Sequence, residues 1–217
     1  MTSTDQNTQR FFALLTPTFI SACVAALLVA AIFGFFYAWV CSTMWGLDAA
    51  DPRVAIEAMQ AMNASVRNPV FMPAFFLTPV ALGITALLAW QNQAAGPAAL
   101  FLSAGVLYTV GALLFTAMVN VPMNEALAAT PVPQNIDDAA QIWSDYSSRW
   151  QIANISRTVV TGICVLLTTV AIAMLGQATL THPASASSAS TVPVPAQPEH
   201  RAPTPPHSPD HPATTAR

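Results

Sequence analysis

Four long apolar stretches, separated by polar segments, organise this chain of 217 residues. Each is long enough to cross roughly 30 Å of hydrocarbon at about 1.5 Å per residue, and none contains a charged side chain. Backbone amides in lipid must be satisfied within their own segment, so each stretch predicts a membrane-spanning helix. The predicted spans cover residues 17–40, 70–90, 98–119 and 158–176.

Residues 1–16 are predicted to form a short leader, polar up to Arg10. The apolar run from Phe11 to Val40 is much longer than the roughly 7–15 apolar residues of a secretory signal. The first span is therefore expected to be an uncleaved anchor.

The connections between the spans differ in length. Residues 91–97 form a tight turn, whereas residues 41–68 and 120–157 are long and share one side of the bundle. In the first long connection, Asp51 is placed to cap a helix that runs to about Arg67. Its apolar positions fall on one face, which predicts an amphipathic helix covering the bundle. These apolar positions are Ile56, Met59, Met62 and Val66.

Composition agrees with a membrane protein, since 54% of residues are hydrophobic and only 8% are charged. All seven cations are arginines and the net charge is −3, so no basic stripe for nucleic acid exists. Residues 178–217 are rich in Pro, Ala, Ser and His, and are predicted to be a disordered tail. Every histidine lies in this tail, so neither haem nor a histidine-ligated metal is expected in the membrane domain.

Residues 143–157, WSDYSSRWQIANISR, carry a second pattern. On a helix, five of their side chains fall within a sector of about 80°. An aromatic belt with a snorkelling arginine would give similar residue types, but belt residues usually surround a helix rather than form one narrow stripe. The stripe consists of Trp143, Tyr146, Trp150, Asn154 and Arg157.

A polar cluster ends the third span, in the segment MVNVPMNEALA, where Asn120, Asn124 and Glu125 would meet water. Arg157 precedes an apolar run, and an unpaired cation there costs roughly 2.5–3.5 kcal/mol on insertion scales. We therefore expect Glu125 to pair with Arg157. With Asn120, Asn124 and Asn154 nearby, the two charged groups would form a small polar pocket at the membrane interface, roofed by aromatic side chains and the amphipathic helix.

The motifs FGFFYAWVCSTMWGL, AIEAMQAMNASVRNPVF, NVPMNEALA and WSDYSSRWQIANISR occur in this order. Together they resemble the small four-helix membrane proteins grouped with fungal anthrone oxygenases, over about residues 17–177. Members of this family commonly have histidine after the asparagine of the fourth helix, where this chain has Ile155. The resemblance implies an all-α, four-helix membrane bundle. It places the functional face on Asn63, Asn68, Asn120, Pro122, Asn124, Trp143, Tyr146, Trp150, Asn154 and Arg157.

The resemblance also implies an activity, oxidation of a lipophilic anthrone or phenol by O₂ without a metal or flavin cofactor. Glu125 would be the base, and Arg157, Asn124 and Asn154 would stabilise the oxyanion. Tyr146 would replace the absent histidine in proton transfer. The alternative is a non-catalytic membrane module that uses the same face to bind a hydrophobic small molecule or a partner protein.

The expected location is the cell membrane, with both termini on the same side. Arg10 before the first span, against Asp48 and Asp51 after it, favours cytoplasmic termini. Arg53 and Arg67 in the first long connection favour the opposite orientation.

Overall fold

The computed structural model describes residues 16–181, with side chains described to residue 177. Almost all of the predicted leader and nearly all of the predicted tail lie outside the described residues. The described chain is helical throughout, apart from short turns, and contains no strand. Its α-helices are α1 (Pro17–Ala38), α2 (Met44–Asp48), α3 (Pro52–Ser65), α4 (Phe71–Gln91), α5 (Ala95–Tyr108), α6 (Val121–Ala128) and α7 (Ile136–Thr181).

Short π-helical segments continue α1 and α5. In a π-helix the hydrogen bond spans five residues instead of four, so each such turn takes in an additional residue. One segment joins α1 to α2, and two lie between α5 and α6, so the chain stays helical through each join. The segments are Trp39–Thr43, Thr109–Leu114 and Thr116–Asn120.

Four continuous helical stretches are long and apolar enough to cross a membrane, which confirms the predicted four-helix architecture. The fourth is much longer than its apolar window, because the polar residues before Arg157 continue the same helix. The stretches are Pro17–Asp48, Phe71–Gln91, Ala95–Ala128 and Ile136–Gln177.

The four long helices pack in a ring in the order α1, α4, α5, α7. Their shared core is apolar and aromatic, with Phe36, Phe101 and Tyr108 almost fully buried. At the end with the tight turn, Asn92 Nδ2 donates to Thr18 Oγ1 at 2.8 Å. Ser21 and Thr85 share a hydrogen bond of 2.7 Å nearby, so polar contacts join α1 to α4 inside an otherwise apolar bundle.

A second, smaller core lies at the opposite end, beneath α3. The amphipathic helix predicted from the sequence is confirmed as α3. Asp51 caps its N-terminus, where Asp51 Oδ1 accepts from Arg53 N at 2.9 Å. The side-chain hydrogen bond from Arg53 holds the pKa of Asp51 down at about 2, so the cap remains an anion at neutral pH. The core consists of Met44, Ala55, Ile56, Met59, Leu127, Ala139, Trp143, Tyr146 and Trp150.

The two long connections contact each other, as expected if they share a side. Gln60 Nε2 in α3 donates to the carbonyls of Leu127 at 2.8 Å and Thr130 at 2.9 Å. Both carbonyls lie at the C-terminal end of α6, where Leu127 O also accepts from Thr130 N at 3.0 Å. The covering helix is thereby attached to the segment that carries the NVPMNEALA motif.

Candidate functional site

A cavity of about 210 Å³ lies between the bundle and a covering layer formed by α3 and α6. A single water needs only about 10–15 Å³ of such space, so the cavity can take a much larger guest. Its walls are mainly aromatic and aliphatic, with a few polar groups. They include Phe35, Phe36, Trp39, Phe71, Phe75, Leu113 and Trp150, and the polar residues are Asn63, Arg67, Thr116, Asn124 and Arg157.

Arg157 places a buried cation in the wall of this cavity, with only 5% of the residue exposed. Its guanidinium carbon lies 4.3 Å from the centre of the Phe36 ring and 5.6 Å from that of Trp150. Nη1 donates to Thr116 Oγ1 at 3.2 Å. Nη2 donates to Asn154 Oδ1 at 3.0 Å, so the cation is held by neutral groups and aromatic faces.

The predicted ion pair between Glu125 and Arg157 is wrong. Glu125 Oε1 lies 3.7 Å from Arg67 Nη2, and both side chains are more than half exposed. Within the described part of the chain, no carboxylate forms an ion pair with Arg157, and its buried Nε has no acceptor. Since Arg67 lines the cavity, Glu125 belongs to the rim, whereas Arg157 belongs to the interior.

Asn124 lines the cavity and accepts two hydrogen bonds through Oδ1, from Tyr146 OH at 2.8 Å and Trp150 Nε1 at 3.1 Å. The Tyr146 hydroxyl also accepts from Asn63 Nδ2 at 3.2 Å. The hydroxyl is therefore engaged on both sides, and Tyr146 lies behind the two cavity-lining amides. This network joins α3, α6 and α7, and fixes how the amides face the cavity.

Asn154 lies behind Arg157 and is 1% exposed. Its Oδ1 accepts from the guanidinium, and its Nδ2 donates to the Phe36 carbonyl at 3.0 Å. Phe36 is the third residue before the π-helical segment Trp39–Thr43, where the helical hydrogen-bond register changes. Asn154 thus orients the cation and anchors it to the first helix.

The remaining predicted site residues lie outside the cavity wall. Trp143 Nε1 donates to Asp48 Oδ1 at 3.0 Å, within the core below α3. Asn68 Oδ1 accepts from the amides of Val70 and Phe71, each at 2.9 Å, at the start of α4. Asn120 is 1% exposed, and neither of its side-chain amide atoms has a partner among the described residues.

Ile155, which stands where the resemblance leads one to expect histidine, is 46% exposed and does not line the cavity. The neighbouring Asn154 and Arg157 are buried, so Ile155 lies on the outward face of α7. The absence of histidine at this position therefore leaves the cavity unchanged.

Sequence reasoning missed the groups that surround the cation, above all Phe36 and Thr116. Phe36 is one of several aromatics in the FGFFYAWVCSTMWGL motif, and nothing distinguishes the ring that stacks on Arg157. Threonines in apolar helices commonly bond back to their own backbone, which gives Thr116 no distinctive signal. Asp48 was also missed as an acceptor, although it receives bonds from Trp143, Ser147 and Gln151.

The four apolar helices make the chain a multi-pass membrane protein, here with a cation buried beside an apolar cavity. The family model described as anthrone oxygenase matches residues 62–167, which include α4, α5, α6 and most of the Arg157 site. Over these residues the chain is similar to the anthrone oxygenase family, as its motifs indicated. Neither the curated proteins nor the solved structures compared with it gave a match.

Proposed function

We propose that the cavity binds a lipophilic anthrone or phenol as its anion and promotes its oxidation by O₂, without a metal or flavin. The observation that carries this proposal is the buried Arg157 guanidinium, which no carboxylate neutralises within the described residues. A buried cation without a counter-ion is costly. An anionic guest would remove much of that cost on binding.

The shape and chemistry of the walls favour a flat, apolar guest with one charged oxygen. Phe35, Phe71 and Phe75 offer faces and edges for an aromatic body. Arg157 supplies donors for the oxygen anion, and charge-assisted hydrogen bonds of this kind are roughly twice as strong as neutral ones. The buried Nε, which has no acceptor among the described residues, leaves further donor capacity.

Stabilising the anion is also what the reaction requires. Loss of a proton from the CH₂ carbon of an anthrone gives an enolate that can pass one electron to O₂. The resulting radical and superoxide combine into a carbon–oxygen bond. Protonation of this peroxide, loss of the second C–H proton and cleavage of the O–O bond then release water and leave a quinone carbonyl. Overall, one anthrone and one O₂ give one anthraquinone and one water.

The surrounding residues are proposed to accept the proton and to position the guest. Glu125 at the rim, paired with Arg67 of the cavity wall, is the proposed proton acceptor. Asn63 and Asn124 would contact a second oxygen of the guest, and Tyr146 positions both amides through its two hydrogen bonds. Arg157 holds the oxyanion as charge develops.

The test is O₂ consumption by vesicles containing the purified protein and a membrane-soluble anthrone. We expect faster O₂ uptake than with empty vesicles, one quinone formed per O₂, and a rate that survives metal chelators. Glu125→Gln is expected to lower the rate by up to about 100-fold, near the low end of what a positioned base contributes, because water reaches this exposed group. Ile155→His is expected to leave the rate unchanged, because that side chain faces outward.

Unchanged O₂ uptake across several anthrones and phenols, with saturable binding retained, would reject the oxygenase and support a binding module. The exposed position of Glu125 is the observation that favours this second candidate, since a carboxylate open to water is a poorly placed base. Absence of both oxidation and binding would reject the proposal as a whole.

We further infer that both termini face the cytoplasm and that the covering layer is external. Cys41 provides the test, because it is exposed in the segment that joins α1 to α2. In a variant without Cys23 and Cys164, a membrane-impermeant maleimide is expected to label intact cells. Labelling that requires lysis would reverse the assigned orientation.

A further inference from the structure

A second cavity, of about 420 Å³, lies on the outer side of the bundle between α1 and α4. We call it the lateral groove. Ala31, Ile32 and Phe35 line it from α1, and Phe71 and Ala74 from α4. Met62 and Ser65 of α3, with Val66 directly after it, close the groove above, and Asn68 and Val70 complete the wall.

The lateral groove and the Arg157 cavity share part of their walls. Phe35, Trp39, Met62, Val66 and Phe71 line both spaces. The two cavities are therefore neighbours that share these side chains as walls.

Aromatic rings form this partition. The centres of the Phe35 and Phe71 rings lie 4.7 Å apart, with an angle of 47° between their planes. Phe71 also stacks on Phe75, at 5.4 Å between ring centres. Phe35 and Phe71 are only half-buried, so rotation of these rings meets less resistance than in a closely packed core.

The lateral groove opens away from the bundle, where lipid would surround the helices. Val70, in the turn before α4, is 81% exposed, and Ala31 of α1 is also exposed. By contrast, the opening of the Arg157 cavity at Arg67 and Glu125 is charged. A lipophilic molecule dissolved in the bilayer therefore meets an apolar opening at the lateral groove and an ion pair at the opening beside Arg67 and Glu125.

We propose that the lateral groove is the path by which the lipophilic anthrone or phenol passes from the bilayer to Arg157, with Phe35 and Phe71 as a movable partition. This inference rests on the proposed function, because it concerns the guest of the same cavity. The proton and the water released in the reaction leave through the charged opening at Arg67 and Glu125.

The test fills the lateral groove without altering the walls of the Arg157 cavity. Ala31 and Ala74 line only the groove, so Ala31→Phe combined with Ala74→Phe should obstruct it. Ala30→Phe is the matched control, since Ala30 is an exposed neighbour on α1 that lines neither space. If the double variant does not fold, Ala31→Phe alone is used, because an exposed position accepts a larger side chain.

The probe is a dibrominated alkylphenol added to vesicles containing the protein, and its bromines quench Trp150, which lines the Arg157 cavity and not the lateral groove. Replacing Trp39, Trp45 and Trp90 by phenylalanine in every sample removes the indoles that face the groove or lipid. Excess unbrominated phenol then gives the dissociation rate. We expect obstruction to slow association and dissociation equally, by at least about tenfold. A barrier on the path changes both rate constants but leaves the free energies of the free and bound protein unchanged. The dissociation constant should stay within about threefold, and Ala30→Phe should behave as wild type.

Unaltered rates in the obstructed variant, with normal affinity, would overturn the lateral path and assign access to the opening at Arg67 and Glu125. The proposed function would survive that result. A wild-type protein that shows no saturable quenching would overturn the proposed function, and the lateral path with it.

Discussion

Replacing Arg157 by methionine is expected to weaken binding of an anionic phenol by roughly 10- to 100-fold and to leave the ligand-free protein about as stable as wild type. The loss in affinity follows from removing charge-assisted hydrogen bonds, which contribute about 1.5–3 kcal/mol each. Oxidation should fall further, by about 100- to 1,000-fold, as when one oxyanion donor is removed from an active site. The measurements are phenol titration, O₂ uptake and thermal unfolding in detergent.

The unchanged stability is the informative part, because two effects oppose each other. The substitution removes a buried cation, whose desolvation costs several kcal/mol. It also leaves Thr116 Oγ1 and Asn154 Oδ1 without their donor, at about 1–3 kcal/mol for each buried group. Methionine keeps a similar volume, and its sulfur makes favourable contacts with aromatic rings such as Phe36 and Trp150.

Arg149→Met is the matched control on the same helix. Arg149 is exposed, and its Nε donates to the Asp145 carbonyl, so neither binding nor stability should change. If Arg157→Met lowers the melting temperature by many degrees and leaves phenol binding intact, Arg157 is a structural residue and the proposed function loses its support.

Asn124→Ala is expected to give the largest loss of stability, about 2–6 kcal/mol in the free energy of unfolding. The substitution leaves two donors, Tyr146 OH and Trp150 Nε1, without their shared acceptor, and each stranded group costs about 1–3 kcal/mol. Both residues are nearly buried, so water does not readily replace the lost partner. Chemical or thermal unfolding in detergent measures the change.

Two further variants show whether the loss comes from this network. Glu125→Gln alters the next residue of α6, whose surface ion pair contributes at most about 1 kcal/mol, so its melting temperature should match that of the wild type.

Combining Asn124→Ala with Tyr146→Phe should cost less than the sum of the single changes, by about 0.5–3 kcal/mol, because the two side chains share a hydrogen bond. Strict additivity would show that the bond contributes nothing.

The amino-acid sequence by itself determined the elements of this protein. Four apolar windows predicted four helices, because a backbone in lipid must satisfy its own hydrogen bonds. Asp51 and the apolar face from Ile56 to Val66 predicted the helix that the structure shows as α3, since capping and helical periodicity are local properties. The stripe from Trp143 to Arg157 was recognised as one helical face, and the structure places Tyr146, Trp150, Asn154 and Arg157 in or behind the wall of one cavity.

The tertiary structure alone decided which side chains meet across helices. The sequence suggested Glu125 as the partner of Arg157, because both lie near the ends of adjacent spans. Two π-helical segments precede Glu125, and each additional residue in a turn rotates all following side chains by about 100° relative to a regular α-helix. Regular α-helical periodicity therefore predicts the wrong side-chain directions in the third span beyond Thr109. Glu125 lies at the rim, and Thr116 contacts the cation. Selection of Phe36 as the ring beneath Arg157 likewise depends on how α1 packs against α7, which no local pattern records.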